Sequence, residues 1–230
     1  MISDLPIYVY VTFFIALFFV LTTFYYASNK NIKLIIGIIL WGSLHSVIAF
    51  TGFYENTKTI PPRLMLIVFP IVLIIISSIF STKIKKWLGS LKLKQLMYLH
   101  AVRIPVELTL FWLFTAMYVP EIITFEGRNF DIIAGITAPL LTLIAFRKNK
   151  IRKTLLWIWH VMSIILLGNI VIHALLSTPT VFQQIAFEQP NVAIYKFPFL
   201  LLPAIIVPLV LISNIAGFVI LNRPRSETSI

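Results

Sequence analysis

Cysteine is absent from this sequence, and charged residues are scarce. The lack of cysteine excludes disulfides, thiolate metal sites and a cysteine nucleophile. Charged residues make up 12% of the 230 residues, whereas soluble domains typically contain about 25%. Hydrophobic residues make up 59%, and the mean hydropathy is +0.96. A composition of this kind excludes an ordinary soluble domain and indicates an integral membrane protein.

The common catalytic motifs are missing as well. The sequence has no GxSxG, no HExxH, no phosphate-binding glycine loop and no carboxylate-rich metal motif. This argues against a familiar enzyme and leaves open a membrane enzyme with an unfamiliar site. The net charge is +11, but the basic residues sit in short clusters between apolar runs. That placement indicates membrane topology, and it argues against a nucleic-acid partner.

Apolar runs of about membrane-spanning length occur seven times. About 20 apolar residues are needed to cross a hydrocarbon core of roughly 30 Å. The first run has no basic segment before it and is too long for a signal peptide, so we expect it to be retained. The prediction is an all-α fold, residues 1–230 forming one bundle of seven transmembrane helices. The predicted helices are 7–27, 34–54, 64–82, 96–119, 130–146, 154–176 and 197–221.

Basic residues alternate between the connections. The segments after the first, third, fifth and seventh runs carry fourteen lysines and arginines, and the other connections carry four. The positive-inside rule therefore predicts an outer N-terminus and a cytoplasmic C-terminus. The outer loops 120–130 and 177–196 are predicted to form a lid over the bundle. The multi-pass setting makes the lipid bilayer the expected partner, and a homo-oligomer remains open.

The fourth run is the most informative. It carries His100, Arg103 and Glu107, which a helix places on one face because they are three and four residues apart. Each intramembrane charge costs roughly 2.5–3.5 kcal/mol on insertion scales, so this face is expected to avoid lipid. Pro105 lies within the face and lacks an N–H, which leaves the Ala101 carbonyl without its helical partner.

Two interpretations of this face stay open. In the first, Glu107 carries a proton or binds a cation, and Arg103 holds an anionic or carbonyl group of a ligand. His100 and three further polar residues, His45, Asn169 and His173, would join them in a pocket that binds a small solute or transports it, with or without proton coupling. In the second, Arg103 and Glu107 form an ion pair that locks the helices together in a structural or assembly protein without a ligand.

The remaining polar residues suggest two smaller hypotheses. His100 and His160 lie at similar depth on two predicted helices, so they are candidates to ligate a haem b or a metal ion. Otherwise no cofactor is expected. Outside the membrane, Glu126, Arg128 and Asp131 are predicted to form a salt-bridge network that fixes their loop.

Three segments carry a family resemblance: FEGRNFDIIAGITAP (residues 125–139), QPNVAIYKFPFLLLPAIIVPLV (residues 189–210) and HAVRIPVE in the fourth run. They resemble a widespread set of small bacterial integral membrane proteins with about seven helices and no assigned activity. The resemblance covers most of the chain after residue 95. It implies a helical membrane fold and a bacterial inner-membrane location, and it implies no catalytic residue.

Overall fold

The computed structural model describes residues 2–146 and 152–223, and in these residues it contains helices and turns but no strand. The all-α prediction is thereby confirmed for this part of the chain. Arg147, Lys148, Lys150 and Arg225, four of the basic residues used to predict orientation, lie outside it. The helices are α1 (Ile7–Ala27), α2 (Ile32–Phe50), α3 (Met65–Phe80), α4 (Thr82–Leu88), α5 (Leu93–Leu99), α6 (Arg103–Thr115), α7 (Asp131–Ala145), α8 (Lys153–Leu176) and α9 (Val207–Leu221).

Several of these helices are suited to a membrane. In the described residues, five helical segments are long and apolar enough to cross one, and the count is six if α3 and α4 form a single bent crossing. The axis turns by 99° between α3 and α4. Helix α7 is also apolar but shorter, with 15 residues. The chain is therefore a multi-pass membrane protein.

Two segments form the centre of the bundle. In the most apolar 18 residues of Leu93–Thr115, the segment that contains α5 and α6, 61% of the residues are buried. The same fraction for Leu202–Leu221 is 72%. The corresponding value for α1, α2 and α8 is 28%. Helix α1 buries a stripe at helical spacing, which includes Val9, Phe13 and Val20, while its other side stays exposed as a lipid-facing surface would. The charged span is thus enclosed by the other helices.

Prolines coincide with irregular backbone in the two central segments. His100–Val102 is a 3-10 turn between α5 and α6, at the place where Pro105 cannot donate a hydrogen bond. Leu202–Ile206 forms a π-turn before α9, and it contains Pro203 while Pro208 follows. These breaks are tolerated because both segments are buried among other helices.

The observed helices differ most from the predicted spans in the second, fourth and seventh spans. The second helix ends at Phe50, because Gly52 adopts a left-handed conformation with φ of 72° before a short 3-10 turn. The fourth span is divided by the turn at His100–Val102. The seventh begins with the π-turn at Leu202, after a non-helical stretch at residues 198–201.

Contacts at the two ends of the bundle bring together distant parts of the chain. At one end, the Lys92 amide donates to the carbonyl of Ala27, and the Arg223 guanidinium donates to that of Gly89 at 2.8 Å. At the other end, the Tyr118 hydroxyl donates to the carboxylate of Asp4 at 2.8 Å. The first end is rich in lysine and arginine, and we call it the basic end; the second is the loop end.

Candidate functional site

Arg103 lies in the middle of the bundle with 2% of its side chain exposed. Its Nη1 is 2.5 Å from Oδ1 of Asp131 on α7, and its Nη2 donates to Oγ of Ser163 on α8 at 2.9 Å. Close packing of α6 against α7 makes this possible, since a Cβ at Gly135 would be 3.2 Å from the Arg103 Cβ. Arg103 therefore joins three helices.

Glu107 lies one turn further along α6 and is also buried. Its Oε1 accepts a hydrogen bond of 2.5 Å from Nδ2 of Asn129, in the connection that leads to α7. The Oδ1 of Asn129 in turn accepts from the backbone N–H of Asp131 at 3.0 Å. Asn129 thus links the two acids. Arg103 and Glu107 do not form an ion pair with each other; among the described residues, the ion pairs are Arg103–Asp131 and Lys196–Glu55.

His100 and His160 form a second buried group toward the basic end. Their ring centroids are 6.0 Å apart. The Nε2 of His100 is 3.0 Å from Oγ of Ser213, and the Nδ1 of His160 is 3.0 Å from Oδ1 of Asn214. Both imidazoles are therefore held by α9.

The two groups share one property: they contain buried polar atoms without a hydrogen-bond partner. Native proteins satisfy the great majority of such atoms with protein or water, because each unsatisfied one costs about 1–3 kcal/mol. Among the described residues, the atoms of this kind in the two groups are His100 Nδ1, Arg103 Nε, Glu107 Oε2, His160 Nε2 and Asn214 Nδ2. We call His100, Arg103, Glu107, Asn129, Asp131, His160, Ser163, Ser213 and Asn214 the polar core.

Helix α6 also borders an apolar cavity of about 380 Å³. Val106, Leu110 and Leu113 line it from α6, and other walls come from α3, α8 and the π-turn. Arg103 and Glu107 are not among its lining residues. Helix α6 thus contributes residues both to the polar core and to the wall of an apolar cavity.

The predicted site residues fall into three places. His100, Arg103 and Glu107 lie in the polar core. His45 is on α2 and is hydrogen-bonded to the hydroxyl of Tyr54. On α8, Nδ2 of Asn169 donates to the carbonyl of Arg128 at 2.7 Å, and the Nδ1 of His173 is 2.8 Å from the carbonyl of Asn169.

The predicted loop residues are likewise separated. Asp131 faces inward to Arg103, whereas Glu126 and Arg128 are exposed. Among described residues, no group of three histidine, cysteine, aspartate or glutamate side chains could hold a metal ion. A haem or metal ion on His100 and His160 stays a prediction.

The sequence did not predict four residues that complete the polar core: Asn129, Ser163, Ser213 and Asn214. It also did not predict that the side chain of Asp131 points inward to Arg103. One signal pointed to Asp131, because it directly precedes an apolar run and a buried arginine needs an acid. The others are single polar residues in apolar helices, and their spacing within each helix carries no information about neighbours in space.

The loop end is covered by the connection between α8 and α9. Gln189 Nε2 donates to the carbonyls of Phe114 and Val119 at 3.0 and 2.7 Å, and the Val192 amide donates to the carbonyl of Tyr118 at 3.0 Å. In this connection Tyr195 is 4% exposed, and burial raises the pKa of its phenol. These contacts fix the connection over the end of α6.

Comparison with known proteins gives a family. A family described as a domain of unknown function (DUF8737) matches residues 60–222. The chain belongs to this family. No curated protein and no solved structure matches the chain. The matched region extends from the segment before α3 to the end of α9, so it contains every residue of the polar core.

Proposed function

We propose that this DUF8737 member is an inner-membrane protein of bacteria with seven crossings, an outer N-terminus and a cytoplasmic C-terminus. Support comes from the two ends of the bundle. The segments after α1 and α4 and the end of α9 meet at the basic end, and the N-terminus meets the segment after α6 at the loop end. With seven crossings, the chain would cross twice between Ala27 and Gly89, which lie at the same end, and three times between Tyr118 and Arg223, which lie at opposite ends. A basic cytoplasmic end follows the positive-inside rule.

Within that frame, the polar core would bind a small polar solute, and Glu107 would gain or lose a proton as the solute binds. The observation that carries this proposal is the set of unpartnered buried atoms on His100, Arg103, Glu107, His160 and Asn214. A small species with both donors and acceptors would satisfy them. Ionisable residues are costly to insert into a membrane, so each one is by default a candidate for a functional site.

Access would require movement of a neighbouring segment. The π-turn at Leu202–Ile206 is suited to this movement, because its hydrogen bonding is irregular. It lies directly before α9, whose residues Ser213 and Asn214 contact the two histidines. The apolar cavity beside α6 gives this segment room to move. Helix α9 would thus act as the moving wall, and the remaining polar residues His45, Asn169 and His173 would lie along the path of entry.

The experiment measures carboxyl protonation directly. Infrared difference spectra of the purified protein, recorded while pH is changed, should contain a carboxyl band that disappears in Glu107→Gln. Glu126→Gln is the matched control, because Glu126 is an exposed acid of the loop end. A spectrum that is the same in wild type and Glu107→Gln would overturn the role of Glu107.

Solute binding is tested by thermal shift with a panel of amino acids, carboxylates and organic cations. We expect at least one class of solute to raise the unfolding temperature of wild type and of Glu126→Gln. The same solutes should leave the unfolding temperature of Glu107→Gln unchanged. A shift of equal size in Glu107→Gln would show that the solute binds elsewhere.

A packing lock is the second candidate, and a specific observation favours it. Arg103 is already paired with Asp131 and Ser163, as a lock requires. A lock predicts that Glu107→Gln lowers stability without altering any binding or protonation signal. The infrared experiment therefore separates the two candidates.

A further inference from the structure

A second apolar cavity, of about 430 Å³, lies toward the basic end of the bundle. Its walls are α2, α3, α4 and the start of α9, through residues such as Ile38, Trp41, Ile74 and Leu209. Its volume is far larger than the roughly 150 Å³ that holds a benzene molecule in an engineered apolar cavity. The cavity is continuous with the lipid-facing surface, because its lining residue Gly37 is exposed on α2.

One charged side chain belongs to the lining of this cavity. Lys33, at the start of α2, lines it together with Ile84 and Trp87 of α4. The lysines of α4, Lys83, Lys85 and Lys86, are exposed, as Lys33 is. Between the residues that the structure describes, no carboxylate lies within ion-pair distance of these four lysines. One lysine in the cavity lining and three exposed lysines on the adjacent α4 are thus left for an external anion.

The bend between α3 and α4 produces this combination. Because the axis turns by 99°, α4 does not continue the direction of α3. Its apolar side chains Ile84 and Trp87 contribute to the cavity while its lysines stay at the surface. Apolar residues on one side and lysines on the other are typical of a helix that lies in the membrane interface, where tryptophan is also enriched.

We infer that this cavity binds one anionic phospholipid from the leaflet at the basic end. An acyl chain would occupy the cavity between α2, α3 and α9. The headgroup phosphate would contact Lys33 and the lysines of α4. This site is independent of the polar core, because none of the residues that line it belongs to that core.

The experiment is native mass spectrometry of the full chain. The protein is exchanged into equal amounts of phosphatidylglycerol and phosphatidylethanolamine with the same acyl chains. Wild type should retain one phosphatidylglycerol in preference to phosphatidylethanolamine. Replacing Lys33 and Lys86 by glutamine should lower that preference about fivefold for each lysine, since each basic residue near anionic lipid contributes about 1 kcal/mol. The control Lys58→Gln alters an exposed lysine at the loop end and should leave the preference unchanged.

Occupancy of the cavity is tested by filling it. At Gly37 no atom lies within 4 Å of an added Cβ, so Gly37→Leu would extend into open space. We expect retention of both lipids to fall about tenfold, the change produced when roughly two buried methylenes are displaced. Gly168→Leu is the matched control, because Gly168 is also a helical glycine with no atom within 4 Å but lines the cavity beside α6.

Three results would overturn the inference. The first is equal retention of the two lipids by wild type, which needs no variant and therefore does not depend on the folding of Gly37→Leu. The second is an equal loss in Gly37→Leu and Gly168→Leu. The third is displacement of the lipid by inorganic phosphate alone, which would show that the lysines bind phosphate without a role for the cavity.

Discussion

The guanidinium of Arg103 and the carboxylate of Asp131 are 2.5 Å apart, although 28 residues separate them along the chain. Both side chains are almost fully buried. The pair joins α6 to the first residue of α7, and through Ser163 it also reaches α8. Arg103 and its two partners therefore connect these three helices.

Asp131→Asn should lower the free energy of unfolding by about 3–5 kcal/mol, because the change leaves Arg103 buried without its counter-charge. The measurement is denaturant titration in mixed micelles. Glu126→Gln removes an exposed acid from the preceding connection and should change stability by less than about 0.5 kcal/mol. Similar losses in both variants would contradict the special role of the pair.

Two glycines are expected to respond in opposite ways to alanine. A Cβ at Gly217 would collide with the ring of His160, so Gly217→Ala should destabilise the protein by about 1–3 kcal/mol. At Gly168 the new methyl group meets no atom within 4 Å, and alanine favours the helix by up to about 1 kcal/mol. Thermal unfolding of both variants gives the comparison. A Gly217→Ala variant as stable as Gly168→Ala would show that His160 can move aside freely.

Tyr195 should make stability fall at alkaline pH. Burial raises the pKa of its phenol above the ordinary value of 10.0, so above pH 10 the unfolded chain loses this proton while the folded chain keeps it. The contribution is constant below pH 10 and decreases as pH rises beyond it. Tyr195→Phe should remove this decrease. It should cost little stability at neutral pH, because the buried hydroxyl has no hydrogen-bond partner. A large loss at neutral pH would mean that the hydroxyl does form a hydrogen bond.

The proposed topology predicts which introduced cysteines react from outside the cell. The natural chain has no cysteine, so it is its own background control. A membrane-impermeant maleimide should label Glu188→Cys in intact cells and should label Lys94→Cys only after the membrane is opened. Both positions are exposed, one at the loop end and the other at the basic end. The reverse pattern of labelling would invert the orientation.

The sequence predicted the fold well where hydropathy alone decides the outcome. The first helix has the same limits in the prediction and in the structure, because Ile7–Ala27 is an uninterrupted apolar run. The burial of His100, Arg103 and Glu107 also followed from the energy of placing charge in hydrocarbon. In such cases the sequence of a single segment is enough to predict its helix or its burial.

The partners of those residues could not be obtained in the same way. The spacing of Arg103 and Glu107 allowed an i, i+4 pair, but the 3-10 turn at His100–Val102 and the packing of α7 bring Asp131 to Arg103 instead. Which acid reaches an arginine depends on how helices rotate against each other, and a single sequence does not encode that in any local pattern. The same applies to Asn214 beside His160.

The order in which the polar core is completed follows from where its members lie in the chain. Arg103 and Asp131 belong to consecutive segments, so the charge of each can be neutralised as soon as α7 has left the ribosome. Ser163 arrives one segment later, and Ser213 and Asn214 arrive last of all. During synthesis the two histidines therefore lack their α9 partners until α9 is inserted, whereas the ion pair can form before that.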